Sequence, residues 1–241
     1  MNPSKVPSAL APRPLFRSAH VGERLAAVAI LIAVAGFVAL VVPAMREYPG
    51  GTVWDPTTRG SDFWLNYLSD LQRTVAINGQ PNPTGARYAR AAILLLAAGL
   101  GPLWWLLGRL FPERVRLGHV VRACGVLSVL GAVAAGFLPS DRFADGHTVA
   151  ILCGGAAGVV AAALATFGLA GRGAAERLAT ALGATTVAIS VADLLLYVSR
   201  LTGAVVEIPP IAVLERMSLL LVLAWMCAIA WSGAAGVRTR P

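Results

Sequence analysis

Six long apolar runs constrain this chain more than any other feature. They cover residues 25–42, 91–111, 120–138, 148–170, 178–199 and 211–232. Each is close to the ~20 residues that a helix needs to cross a bilayer at ~1.5 Å per residue. Charge is scarce throughout: 13% of residues are charged and 57% hydrophobic, against about a quarter charged in a soluble domain. The reading is an all-α, polytopic membrane bundle of six transmembrane helices spanning 25–235. Arg122 lies near the start of the third run, where a long side chain snorkels to the interface. Gly101-Pro102 does not break a helix that neighbouring helices support. The first run follows a basic, Pro-containing stretch, residues 1–24, read as a disordered cytoplasmic tail. That leader is too long and the run too extended for a signal peptide, so the run is taken as an uncleaved first span.

The charges in the connections alternate. One side carries Lys5, Arg13, Arg17, Arg24, Arg109, Arg114, Arg116, Arg122, Arg172, Arg177, Arg238 and Arg240 against Glu23, Glu113 and Glu176, a net of +9. The other side, counting Asp193, has eight basic and nine acidic residues, a net of −1. The basic side is expected to be cytoplasmic, and an even number of spans returns both termini to it. The net charge of +8 is thus explained by topology, and nucleic acid is not an expected partner. Nineteen arginines beside one lysine, among many alanines and glycines, fit a GC-rich bacterial genome. The expected location is a bacterial plasma membrane, and the expected partners are membrane lipids, with a second copy or another membrane protein admitted. Cys124, Cys153 and Cys227 all fall in apolar runs and read as small buried side chains, not a disulfide framework.

Residues 43–90 form the one long loop, expected outside. Turn chemistry opens it at Tyr48-Pro49-Gly50-Gly51 and closes it at Asn78-Gly79-Gln80-Pro81-Asn82-Pro83. Between them, residues 61–75 separate on a helical wheel. Phe63, Trp64, Tyr67, Leu68, Leu71 and Val75 share one face; Asp62, Asn66, Ser69, Asp70 and Arg73 share the other. The pattern predicts an interfacial helix with its rings at headgroup level.

These turns, the segment Asn66-Tyr67-Leu68-Ser69-Asp70-Leu71, and Leu138-Pro139-Ser140-Asp141 before His147 resemble motifs of bacterial membrane proteins of the domain-of-unknown-function nine-nine-eight family. A looser similarity is to the DRAM-like six-span proteins. Gln72 stands where a glycine is common in the pattern. The resemblance implies the six-span fold and no established reaction.

Asp193, inside the fifth run, is the most informative single residue. Intramembrane acids usually face a protein interior or a water-filled cavity and have a partner. Thr186, Ser190, Asp193, Tyr197 and Arg200 recur at intervals of four, three, four and three, one stripe on one helix face. The plain structural reading is an interhelical contact with Arg200 or Arg216; the functional one is a ligand-binding or proton-handling acid lining a pocket with Ser190 and Tyr197. A second group is expected near the outer surface: Asp70, Arg73, Asp141, Arg142, Asp145, His147, Glu215 and Arg216. For Asp141 and Asp145 ordinary loop charge and helix capping are the simpler roles. His20 and His119 fall on the opposite side from His147, so no histidine metal cluster is expected. No phosphate-binding loop, GxSxG or HExxH occurs, and neither a metal nor a cofactor is expected. Gly154 and Gly158 give a GxxxG spacing, a helix-packing device.

Two function classes follow. One is a non-catalytic binder of lipid or a hydrophobic small molecule, or a regulatory membrane subunit. The other is a small membrane enzyme acting on a lipid or isoprenoid through Asp193 and outer acids; a transporter is third. Asp193 facing a second acid across an apolar pocket favours the enzyme, and Asp193 paired with arginine favours the binder.

Overall fold

The computed structural model describes residues 15–111, 113–170, 174–204 and 209–235. Its helices are α1 (Leu15–Glu47), α2 (Pro83–Arg109), α3 (Val115–Phe137), α4 (Ala144–Leu169), α5 (Ala174–Leu201) and α6 (Pro209–Ala235). Each contains a segment long and apolar enough to cross a membrane. The chain is therefore an all-helical integral membrane protein, without strands among the described residues beyond two isolated bridges. Helix α1 begins at Leu15, so helix reaches into the stretch read as tail; residues 1–14, Arg172, Glu207, Arg238 and Arg240 lie outside the described residues.

Sequential helices pack as neighbours, and α6 returns against α1, which closes the six into a ring. Burial follows the helical repeat. On α1, Ala26, Ala27, Ile30, Ala33 and Phe37 point inward, whereas Leu25, Val28, Leu31 and Ile32 are exposed. An exposed aliphatic face is costly in water and is at ease against acyl chains. The largest buried cluster gathers Leu103, Trp104, Leu106, Leu107, Trp225 and Met226. Small residues set the closest approach. A Cβ on Gly131 would collide with the Cα of Gly154, so α3 and α4 touch backbone to backbone there. The GxxxG spacing thus serves packing within the chain, with Gly158 against Ser128. Cys124, Cys153 and Cys227 are free thiols; Cys153 is exposed on the helix surface, contrary to the buried role expected of it.

One end of the ring carries a structured cap, residues 48–82. Residues 61–75 do not form the amphipathic helix predicted from their pattern. Their helical part is a short 3-10 turn, Leu68–Gln72. The expected polar face is partly turned inward: Asn66 and Asp70 are 0% and 4% exposed, while Trp64 is 46% exposed. Local side-chain bonding defeats the helix. The Asp62 carboxylate accepts the backbone N–H groups of Trp64 and Leu65, and Asn66 Oδ1 accepts that of Asp62. Such contacts offer the backbone an alternative to the helical ladder. Asn66 Nδ2 then donates to Gly51 O at 2.8 Å, and Asn82 Nδ2 donates to the carbonyls of Leu71 and Arg73. Tyr48, 1% exposed, donates its hydroxyl to Gly51 O and accepts the N–H of Ile77. Residues that mark the resemblance are thus the fasteners of the cap.

Candidate functional site

Beneath the cap lies a cavity of about 590 Å³, within the 300–1,000 Å³ range of small-molecule sites. Helices α2 to α6 and the cap supply its walls. All five residues of the α5 stripe, Thr186, Ser190, Asp193, Tyr197 and Arg200, line it. From α6 come Ile211, Glu215, Ser218, Val222 and Trp225, again at intervals of four, three, four and three. One helical face from each of two adjacent helices therefore builds one wall. The hydroxyls of Ser190 and Ser218 bond to each other across it. Leu103 and Trp104 of α2, Ser128 of α3, and His147, Thr148, Ile151, Gly155 and Ala162 of α4 complete the interior. The cap contributes Val53, Tyr67, Ser69, Asp70 and Arg73.

The cavity is polar near the cap and apolar at its floor. Thr186 lies seven residues before Asp193, ~10 Å further from the cap, and Trp225 lies ten residues past Glu215, ~15 Å further. Trp104 and Trp225 meet edge to face at the floor, their ring centroids 6.0 Å apart. Several buried polar atoms on the walls have no partner: Trp104 Nε1, Trp225 Nε1, Thr186 Oγ1 and His147 Nε2. Interior polar groups are normally satisfied, and each orphan calls for a reason.

Asp193 is half-buried. Among the described residues its carboxylate accepts no hydrogen bond and pairs with no cation. The expected pairing with Arg216 is replaced by a different geometry. Arg216, 1% exposed, donates from Nε to Phe63 O and from Nη2 to Asn66 O, both at 2.9 Å. Its guanidinium also lies 5.6 Å from the centroid of the Phe63 ring. The cap backbone captured this arginine because its turns leave carbonyls pointing down at α6. Arg200 packs over the Tyr67 ring at 5.7 Å. Glu215 Oε1 accepts the N–H of Leu68 at 2.8 Å, so Glu215 belongs to the cap anchor and the cavity wall together.

Of the other sequence candidates, Asp70, Arg73 and His147 line the cavity, whereas Asp141 and Arg216 do not. Asp70 accepts Asn66 Nδ2 and Tyr67 N–H on Oδ2. Burial pushes its pKa up, against the pull of those bonds and of Arg73 and Arg216. Asp141 ties the α3–α4 turn to the cap: its Oδ2 accepts Thr74 N, Thr74 Oγ1 and Val75 N at 2.9, 2.6 and 3.1 Å. Burial raises its pKa, but those donors outweigh it and hold the group below its ordinary 3.8. Arg142 Nε joins the same Thr74 hydroxyl. Asp145 is exposed in the first turn of α4, and the N-cap position is Phe143, without a side-chain cap bond. His147 Nδ1 lies 2.6 Å from Leu138 O. A carbonyl only accepts, so Nδ1 carries a proton.

Sequence reasoning missed the α6 stripe and the tryptophan floor. The four-three spacing around Glu215 carried the first signal; the tryptophans, inside apolar runs, carried none. No group of three or more potential metal ligands occurs among the described residues. Comparison with family models, with curated proteins and with solved structures returns no match.

Proposed function

We propose that this protein binds a hydrophobic small molecule or a lipid in the cavity under its cap, with the cap facing the outside of a bacterial plasma membrane. The observation that carries the reading is the cavity itself: about 590 Å³, with Trp104 and Trp225 at an apolar floor and the acids Asp193 and Glu215 on its wall nearer the cap. An apolar chamber with a few convergent polar groups is the general form of a small-molecule site. The charge asymmetry of the connections supports the orientation. The cap motifs support kinship with the domain-of-unknown-function nine-nine-eight family.

Mass spectrometry of molecules that copurify in mild detergent tests this reading. Gly155 lines the cavity, and a Cβ there would meet nothing within 4 Å. Gly155→Phe should therefore fill the chamber without disturbing the helices. The expected result is a compound enriched over bulk lipid with the native chain and lost with Gly155→Phe. Equal recovery from both proteins would refute the proposal.

One observation favours a second reading, a membrane enzyme acting on the bound molecule. Asp193, Glu215 and His147 line the same cavity, and Arg216 is held by the Phe63 and Asn66 carbonyls, so the arginine pairing expected of a binder is not found. Two acids and a base on one chamber suit general acid–base work. Chemical conversion of the retained compound by the native chain but not by His147→Gln would move the assignment to an enzyme.

A further inference from the structure

The identity of the polar groups at one level of the cavity restricts what it holds. Around Asp193 the wall presents acceptors. Asp193 offers two carboxylate oxygens that no protein group occupies. Glu215 offers Oε2, since Oε1 holds Leu68 N–H. Both acids come from adjacent helices, α5 and α6, and stand on one wall of the chamber. The hydroxyls of Ser190 and Ser218 bond to each other and supply little else. The cations that line the cavity, Arg73 and Arg200, belong to the cap end. Arg200 lies seven residues past Asp193, ~10 Å nearer the cap. Arg216 is held by cap carbonyls. Below, Thr186, 2% exposed, lines the chamber with an unpartnered hydroxyl.

Acceptors of this kind need donors, and in a low-dielectric site a charged donor gains most. An ammonium group carries three N–H donors in a compact head. We infer that the occupant is a hydrophobic amine, its ammonium seated against Asp193 and Glu215 and its hydrocarbon body reaching toward Trp104 and Trp225. This inference rests on the binding role proposed above and specifies its ligand class. The polarity of the chamber sets the pose. The charged end points to the cap, and the apolar end meets the indoles, whose faces also tolerate a nearby cation.

Three rigid probes that differ only in their polar group separate the outcomes: 1-adamantylamine, 1-adamantanol and 1-adamantanecarboxylate. Binding is read from tryptophan fluorescence and thermal unfolding of the full chain in phosphatidylcholine nanodiscs. The amine should bind at least tenfold more tightly than the alcohol, and the carboxylate least. Asp193→Asn should bring amine and alcohol to within about threefold of each other, while Asp193→Glu should keep the preference. Retention of alcohol binding by Asp193→Asn shows that the variant is folded. Equal affinities, a preference for the carboxylate, or an amine preference that survives Asp193→Asn would each overturn the inference, as would no binding by any probe. The binding role itself is judged separately, by whether a compound copurifies and disappears with Gly155→Phe. A neutral copurifying compound would uphold the role and defeat the amine.

Discussion

Replacing Arg216 with methionine tests whether this cation belongs to the cap or to Asp193. Methionine keeps length and apolar volume and removes every donor. In the structure the guanidinium is the donor to two carbonyls, Phe63 O and Asn66 O, each at 2.9 Å. Hydrogen bonds to a charged group contribute about 1.5–3 kcal/mol each. Two of them give about 3–6 kcal/mol, reduced because the substitution also relieves the cost of burying a charge. A net loss of about 3 kcal/mol follows, near the low end of that range. For a chain of this size that corresponds to roughly 6–12 °C in Tm, read by tryptophan fluorescence in mild detergent. The discriminating measurement is the double-mutant cycle with Asp193→Asn. Asp193 makes no bond that Arg216 could lose, so the two changes should add within about 0.5 kcal/mol. Substantial recovery in Arg216→Met/Asp193→Asn, relative to Arg216→Met alone, would mean that the two residues form an ion pair, and the cap-anchor argument would fall.

Three further expectations concern the cap and its orientation. Gly51 has φ +88°, and a Cβ there would lie 2.5 Å from Asn78 N; Gly51→Ala should lower stability by about 1–3 kcal/mol, and an unchanged Tm would contradict the close approach. Asp141 has a folded pKa below its ordinary 3.8, so its contribution is complete above that pH and is lost as pH falls through the lower folded value. Between pH 5 and pH 3 the native chain should therefore lose more stability than Asp141→Asn does, and parallel melting curves would refute the role of the Thr74 and Val75 donors. Topology reporters fused after Ser140 and after Arg172 should report outside and inside respectively; one compartment for both would overturn the orientation.

The spans were legible because a bilayer imposes a length and an apolar composition that sequence displays directly. The α5 stripe was legible for a related reason: five polar residues at helical spacing leave one face that cannot meet lipid. The cap was not legible, and residues 61–75 show why. A helical wheel sorts side chains as if the backbone ladder were assured, and it assigns polar residues to solvent. Here Asp62 and Asn66 bind the backbone beside them and unravel the ladder. Asn66 and Asp70 then turn inward because the cap has carbonyls and N–H groups of its own to satisfy. Periodicity measures amphipathicity. It carries no information about a polar interior held together by side chain–backbone bonds.

The fate of Asp193 and Arg216 turns on the same point. Sequence offered them as an ion pair because each is an awkward charge in an apolar run and opposite charges attract. In the fold, Arg216 is satisfied by neutral carbonyls instead. A guanidinium has five N–H donors in a planar fork and suits such backbone targets; a carboxylate has only acceptor sites and cannot use them. The cap could satisfy the arginine and not the aspartate, although both lie within reach of the same end of the bundle. Asp193 is consequently left on the chamber wall with Glu215, which the Leu68 N–H satisfies on one oxygen only. The polar chemistry of the cavity is thus what the cap could not neutralise. That remainder is a pair of acids on one wall, and it is the reason a donor-bearing ligand, and not a carboxylate or a phosphate, is the occupant to test first.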